Sequence, residues 1–407
     1  MSSQFLYMDD PLKLEFEAIV ISKEQLNEGK VAVILERSYF YPTSGGQEHD
    51  TGSIGAAKVL DVIKNQSGSA VVHIVDIDVP LGPVLASIDT ERRKRHMQQH
   101  SGQHLVSQCF HRLLGMETLS AHIGGLTSSY IDLPDVKINQ NELTQIEVLA
   151  NQIIYENRLI KSYVVASEEI DSVPLRRAPK VSGAVRVIEI ESFDYSACGG
   201  THCLQTGMIG ILKILKIERQ NQKTRVYFTA GQHALEIFQG EHEIITQLAR
   251  QLSVHTENII EALQYQSEQL KSSQKALQGL HRERLAFEAR ELADQAKIIA
   301  ARHIVLGFFK CRPASELRTI ANELKEIPQF VALLATHDGK KISMLATCAA
   351  NTGISALELL NKQLSAIGGS GGGDDQIAQG GGTASDEQAA TLFANAQSII
   401  EELLNAV

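Results

Sequence analysis

Short apolar runs broken by turn residues fill the first ninety positions of the chain. Val31-Ala32-Val33-Ile34-Leu35 and Val71-Val72-His73-Ile74-Val75 have strand length, and Asn65-Gln66-Ser67-Gly68 and Pro80-Leu81-Gly82-Pro83 punctuate the stretch. Runs of β-branched residues between such breaks read as strands. Residues 1–90 therefore predict a small β-barrel or sandwich. A helix is expected from Thr90 to Leu114, then a strand over Ser128–Leu133. Leu143, Ile146, Leu149 and Ile153 recur at helical spacing, with Asn141-Glu142 near the start of that helix. Val185–Ile190 reads as a strand again. From Ala234 to about Arg302 proline is absent, and Leu263, Leu270 and Leu277 stand seven apart, with Gln266, Ser273 and Leu280 interleaved. This leaky heptad predicts a long helical hairpin or coiled coil, a spacer or a homodimer contact. Phe330–Ala335 and Ile342–Ala346 read as strands around His337-Asp338-Gly339, and Gln388–Leu404 as a closing helix. The expected fold is α+β and multidomain, with divisions at 1–90, 91–233, 234–302 and 303–407.

Composition narrows the classes without choosing one. A chain of 407 residues, 43% apolar and 21% charged, has ordinary proportions for two or three globular domains. It contains no run of about 18 apolar residues, so no membrane span is expected. Met1-Ser2-Ser3-Gln4-Phe5 lacks the charged and apolar regions of a signal peptide. Five cysteines, at 109, 198, 203, 311 and 348, form no framework, which fits a reducing compartment and a cytoplasmic location. The net charge of −10 argues against indiscriminate nucleic-acid binding. An RNA partner would need local basic patches. Three such clusters occur: Arg92-Arg93-Lys94-Arg95; Arg176-Arg177 with Lys180; and Lys216, Arg219, Lys223 and Arg225.

Those clusters flank residues with metal-binding chemistry. His100 and His104 are four apart in the predicted helix, which puts both rings on one face. In Cys198-Gly199-Gly200-Thr201-His202 a thiol and an imidazole are four apart across two glycines, the composition of a tight turn. Together they offer four nitrogen and sulfur donors of the kind zinc takes. His96 forms a second pair with His100 at the same spacing. Cys203 adjoins His202 and is expected to face the opposite way. Asp194 is either an acceptor for a ligand ring N–H or a cap of the turn. Within the predicted barrel lies Phe40-Tyr41-Pro42-Thr43-Ser44-Gly45-Gly46-Gln47; its paired glycines allow close backbone approach, and Gln47 both donates and accepts.

Two of these stretches carry a resemblance. HSGQHL and CGGTH resemble the pattern H-[ST]-x-x-H-L with C-G-G-T-H of the editing domain of alanyl-tRNA synthetases and of the free-standing AlaX proteins. Residues 40–52 resemble the family's FYP-x-x-GGQ-x-x-D-x-G, and Thr206-Gly207-Met208-Ile209-Gly210 its T-G-x-I-G, with Met208 where acidic residues are common. Gly368 to Gly382 resembles the glycine-rich loop of the synthetases' C-terminal domain, where exposed backbone N–H groups could hold phosphate. No DHH tripeptide occurs, which argues against a phosphoesterase.

The resemblance implies that the zinc ligands are His100, His104, Cys198 and His202. Leu105 after the second histidine favours this pair over His96–His100. It implies pocket residues Gln47, Ser101, His122 and Thr201, the first, second and fourth being candidates to read a serine hydroxyl. It implies a zinc-dependent hydrolase that edits in trans, with no aminoacylation domain. Its substrate would be tRNA(Ala) mischarged chiefly with serine, and with glycine as a second. Residues 1–90 would be a barrel subdomain, 91–233 the editing domain, 234–302 the connector and 303–407 the C-terminal tRNA-binding domain. Four protein donors would close a tetrahedron, so hydrolysis requires a donor to be displaced or the shell to expand. Two other readings compete: a non-catalytic tRNA-binding protein with a structural zinc, and a hydrolase of another aminoacyl-tRNA or of free esters.

Overall fold

A computed structural model of the chain describes residues 4–125, 127–178 and 183–405. It divides into two units, Met1–Leu248 and Ala249–Val407. The alternation in the first ninety residues closes on itself. Strands β1 (Glu15–Gln25), β2 (Val31–Leu35), β3 (Gly52–Ile54), β4 (Ala57–Lys64), β5 (Val71–Val75) and β6 (Gly82–Ile88) form a closed barrel in the order β1-β2-β5-β4-β3-β6. Val31, Val33 and Leu35 point inward and are buried with Val59, Val71 and Val75. Closure removes the edges that a sandwich of such short strands would leave open.

A polar pair sits in that core, His73 and Ser38. The His73 ring lies 2.8 Å from Ser38 Oγ and 3.1 Å from the Val33 carbonyl. Burial holds its pKa down at about 4, against 6.5 for the free side chain. A depressed histidine contributes stability above its unfolded pKa, and that contribution is lost as pH falls toward the folded value. The window is pH 6.5 to 4, and protonation costs on the order of 3 kcal/mol across it. His73→Phe is expected to flatten the loss of unfolding free energy over that window. An unchanged pH slope in denaturant titrations would show that His73 carries none of it.

The barrel leads into α1 (Thr90–Leu114). Asp89 caps it by accepting from the Arg92 N–H at 3.0 Å, and Gly115 ends it in the left-handed region at φ 64°. From Arg93 to Phe110 every residue of α1 but Lys94 is buried, so this helix is enclosed on all sides. Leu105, Val106, Cys109 and Phe110 join the largest apolar core of the unit. Around it lie β7 (Ser120–His122), β8 (Ser129–Pro134), α2 (Gln140–Tyr155), β9 (Ile160–Val165), β10 (Val185–Ile190), β11 (Asp194–Ala197), β12 (Leu212–Gln220) and β13 (Lys223–Ala230). One sheet runs β12-β13-β8-β7 and another β9-β10-β11. Asn139 and Glu142 form a reciprocal capping box on α2.

The expected connector is two helices, α3 (Gly231–Leu252) and α4 (Ile259–Asp294), separated where Ser253 takes φ 55°. The stretch to residue 302 also includes a strand, β14 (Lys297–Ile299). On α4 the heptad residues Leu270, Leu277 and Leu280 are 60–68% exposed, while Leu285 and Ala289 are buried against α5 (Ala314–Leu324). In the second unit, β15 (Arg302–Lys310), β16 (Phe330–His337), β17 (Lys341–Cys348), β18 (Ser370–Gly373) and β19 (Ile377–Thr383) complete a six-stranded sheet ordered β14-β15-β16-β17-β19-β18. The last helical stretch breaks at Asn395 into α7 (Asp386–Ala394) and α8 (Ala396–Asn405), after α6 (Ala356–Ser365).

The glycine-rich run departs from the expected loop. It is a hairpin of β18 and β19, and β19 also pairs with β17, so the backbone of β19 serves the ladder on both sides, while β18 is the sheet's edge and pairs on one side. The reason is close approach. A Cβ on Gly380 would stand 2.7 Å from Leu364 Cδ1, on α6; without side chains the hairpin lets α6 lie against the sheet. Among the described residues no helix is long and apolar enough to cross a membrane.

Candidate metal centre

Two elements converge on one point. On α1, one turn apart, the His100 and His104 rings have centroids 5.3 Å apart. The turn after β11 brings the His202 ring to 4.3 Å from His100 and 4.6 Å from His104. Cys198 Sγ lies 3.3 Å from His100 Nε2 and 3.3 Å from His202 Nε2. One ligand atom from each of His100, His104, Cys198 and His202 falls within 4.8 Å of the others. The three histidines are buried and Cys198 half-buried. Gly200 permits this: a Cβ there would stand 2.2 Å from His100 Cε1, so any side chain would push the turn off the ring.

Each ring is held from behind by an oxygen. His100 Nδ1 meets Gln47 Oε1 at 2.8 Å, His104 Nδ1 stands 3.3 Å from Asp194 Oδ2, and His202 Nδ1 meets Ser101 Oγ at 3.3 Å. The Nε2 side of all three faces the cluster, the arrangement in which outer acceptors orient ligand rings. Burial opposes ionisation of the Cys198 thiol, but His100 and His202 outweigh it and bring its pKa well below the usual value. Burial, then the charge of His100, lowers His202 to about 3, which keeps its lone pair free. Burial raises Asp194, yet His104 and Arg176 draw its carboxyl below the usual range. A soft sulfur and three buried, oriented imidazoles fit a zinc ion. The cluster can hold a metal.

The cluster opens onto a cavity of about 480 Å³. Its wall includes Gln103, Glu117, Ser120, Arg176 and Ser196 beside His104 and Cys198. Three of the expected pocket residues stand behind the rings and away from that wall. Gln47 is 1% exposed and donates to Thr201 Oγ1 at 2.9 Å while accepting from Thr201 N–H at 3.3 Å. Ser101 also accepts from the Cys203 N–H at 3.0 Å. His122 stacks on Tyr130 with centroids 5.1 Å apart. His96 is buried but outside the quartet, and Cys203 belongs to the apolar core.

Three groups were missed by sequence reasoning. Arg186 donates to the Cys198 and Gly200 carbonyls, both at 2.9 Å, and so clamps the turn; at the start of β10, within an apolar run, it gave no signal. Gln103 was findable, one turn from His100 on the same face. Glu117 lies in a connection with no pattern. Of the second basic cluster, Arg176 is drawn to Asp194 at 3.5 Å and Arg177 donates to the Thr118 carbonyl at 3.0 Å; Lys180 lies outside the described residues.

Residues 185–227, which include Cys198 and His202, match the family model described as Threonyl and Alanyl tRNA synthetase second additional domain. Residues 304–402 match the DHHA1 domain. The alanine–tRNA ligase of Methanopyrus kandleri is 31% identical over 395 residues, 93% of this chain and 43% of that protein. That of Pyrococcus abyssi is 32% identical over 390 residues, 92% of this chain and 41% of that protein. The chain is an AlaX-like relative of the alanyl-tRNA synthetases. It spans less than half the length of these curated relatives. The C-Ala domain from Aquifex aeolicus alanyl-tRNA synthetase is 24% identical, covers 27% of the AlaX-like chain and 96% of its own, and has a TM-score of 0.24, too low to bear on the fold.

Proposed function

We propose that the chain is a zinc-dependent hydrolase acting in trans in the cytoplasm, removing a wrong amino acid from tRNA(Ala). Serine is the chief substrate residue and glycine the second. The observation that carries this reading is the buried Cys/His quartet opening on a cavity of about 480 Å³. Within it, residues 91–233 are the editing domain, 1–90 the barrel that supplies Gln47, 234–302 the connector and 303–407 a tRNA-binding domain.

In this reading His100, His104, Cys198 and His202 hold the metal, whose chemical contribution when bound is Lewis acidity. Gln47, Ser101 and Asp194 fix the ring orientations and Thr201 fixes Gln47; they are positioning residues. The hydroxyl of serine is then read from the cavity wall, where Thr118, Ser120 and Ser196 lie. These hydroxyls already donate to Ser107, Asp132 and Asp194, so each offers its oxygen as acceptor to the O–H of serine, a contact that alanine does not make. That separates serine from alanine and makes glycine, which also lacks the hydroxyl, the slower of the two substrates. Arg176 and Arg177 place positive charge at the cavity, suited to a phosphate near the 3′ end of the RNA. The ester is reactive already, so orientation supplies much of the acceleration.

The test is release of serine from Ser-tRNA(Ala) beside release of alanine from Ala-tRNA(Ala), each with and without a zinc chelator. Serine loss that is fast and chelator-sensitive, with alanine retained, is expected. Metal content of one zinc with neither ester cleaved would instead mark a tRNA-binding protein with a structural metal.

A further inference from the structure

Among the described residues, the wall of the metal cavity holds one side-chain amide, Gln103, and one carboxylate, Glu117. Gln103 stands on α1 next to His104 and is 7% exposed. Its amide nitrogen donates to Ser107 Oγ at 2.7 Å, one turn further along the helix. The same oxygen accepts from Thr118 Oγ1 at 2.7 Å. With its nitrogen tied, the amide presents its oxygen to the cavity that Gln103 lines; that oxygen is not sealed off as Gln108 Oε1 is. Ser107 thereby sets the amide and draws in the connection that carries Glu117, an exposed residue of the same wall.

The guanidinium groups of the wall already have acceptors. Arg177 donates to the Thr118 and Leu119 carbonyls at 3.0 and 3.3 Å, and Arg176 to the His104 carbonyl at 3.3 Å and Ser196 Oγ at 2.9 Å. Gln103 Oε1 and the Glu117 carboxylate are acceptors for something else. The ester of the proposed function carries one group that asks for them. Whatever the amino acid, its protonated α-nitrogen has three N–H donors and lies two bonds from the ester carbonyl carbon. An ester carbonyl at the Cys/His quartet thus brings that nitrogen within reach of the residue beside His104.

We propose that Gln103 Oε1 and the Glu117 carboxylate receive the α-ammonium of the esterified amino acid, which makes them specificity residues for esters with a free amine. Esters blocked at nitrogen, such as formylated or peptidyl forms, are refused. Acylation removes the charge, leaves one N–H, and adds a carbonyl oxygen that would face two acceptors. A site built to hydrogen-bond a donor rejects the analogue lacking it. The two residues do not separate serine from alanine, which share the ammonium; that task stays with the hydroxyls of the wall. The inference rests on the hydrolase reading for the ester's place in the cavity, whereas preference for a free amine can be measured without hydrolysis.

The experiment uses the full chain with Ser-tRNA(Ala) and N-acetyl-Ser-tRNA(Ala), at about pH 6.5, where the α-amine is protonated. The parent is expected to favour the free amine by about 100-fold in kcat/KM. Gln103→Met and Glu117→Gln should each slow the free ester about 10-fold, the scale of one hydrogen bond to a charged group, chiefly through KM. Neither should change the rate on the acetylated ester, and Gln103→Glu, which keeps an acceptor, should retain the preference. A purely structural role would slow both esters alike. Calorimetric binding of 3′-serylamino-3′-deoxyadenosine and its N-acetyl form reads the same preference without hydrolysis. Glu117 is exposed, so its variant keeps the test sound even where Gln103→Met fails to fold. A parent that treats free and acetylated forms alike, or variants that weaken both equally, overturns the inference. Cleavage of neither ester, with a free-amine preference in binding that Glu117→Gln abolishes, removes the hydrolase reading and leaves the ammonium site. Cleavage of both esters at one rate does the reverse.

Discussion

Cys198→Ala is expected to lose bound zinc and hydrolysis of Ser-tRNA(Ala) together, the latter by more than about 100-fold. The scale follows from the geometry. Loss of an outer partner of a metal ligand costs about 10–100-fold, and Cys198 stands closer than that, with Sγ 3.3 Å from the Nε2 atoms of both His100 and His202. It is also the one anionic donor in the quartet, kept as thiolate because the neighbouring imidazoles outweigh burial. His96→Gln is the matched control, since His96 is buried on the same helix but outside the quartet. Metal content by mass spectrometry separates the two: zinc absent from the first variant and present at parent level in the second. Zinc retained by Cys198→Ala would sink the ligand assignment. Zinc lost with hydrolysis intact would keep the assignment and remove the metal from the reaction.

How far the sequence carried depended on how local each cause is. Helix α1 was legible end to end because its stops are local: Asp89 caps one end and Gly115 takes φ 64° at the other. The quartet was legible because its chemistry is written in residue type and its two pairs in spacing. What joins the pairs is not local. Ser101 looks like a pocket hydroxyl beside His100, yet its oxygen turns to His202, a hundred residues on. Gln47 looks like a substrate amide, yet the barrel delivers it to the back of His100 and to Thr201. The glycine run failed for a related reason. Glycine has poor strand propensity, and only the position of α6 shows why a bare hairpin is wanted there. His122 was read against a pocket, while its closest aromatic partner, Tyr130, comes from the next strand.

The barrel's hold on the metal helix leads to the other large expected effect. Arg93 is 1% exposed and Asp50 fully buried. The guanidinium places Nε 3.1 Å from both Asp50 oxygens and Nη2 2.5 Å from Oδ2, and it donates further to the Pro11 and Tyr39 carbonyls at 2.7 and 2.5 Å. Asp50 also accepts from the Tyr41 N–H at 2.6 Å. Removing one partner of such a pair leaves an uncompensated buried charge, which costs about 3–5 kcal/mol. Asp50→Ala is therefore expected to destabilise the chain by about that amount in urea unfolding. Replacing both partners by apolar groups removes the stranded charge, so Asp50→Leu with Arg93→Met should recover most of the loss. Function should not recover in step. Asp50 lies three residues after Gln47, and Arg93 two turns before His100 on α1, so the pair sets where the Gln47 amide meets the His100 ring. In the double variant the zinc affinity is expected to remain about 10–100-fold weak while the unfolding midpoint returns. Parent stability in Asp50→Ala would mean that the pair is not a buried charge lock. Parent zinc affinity in the double variant would mean that the barrel does not position the site.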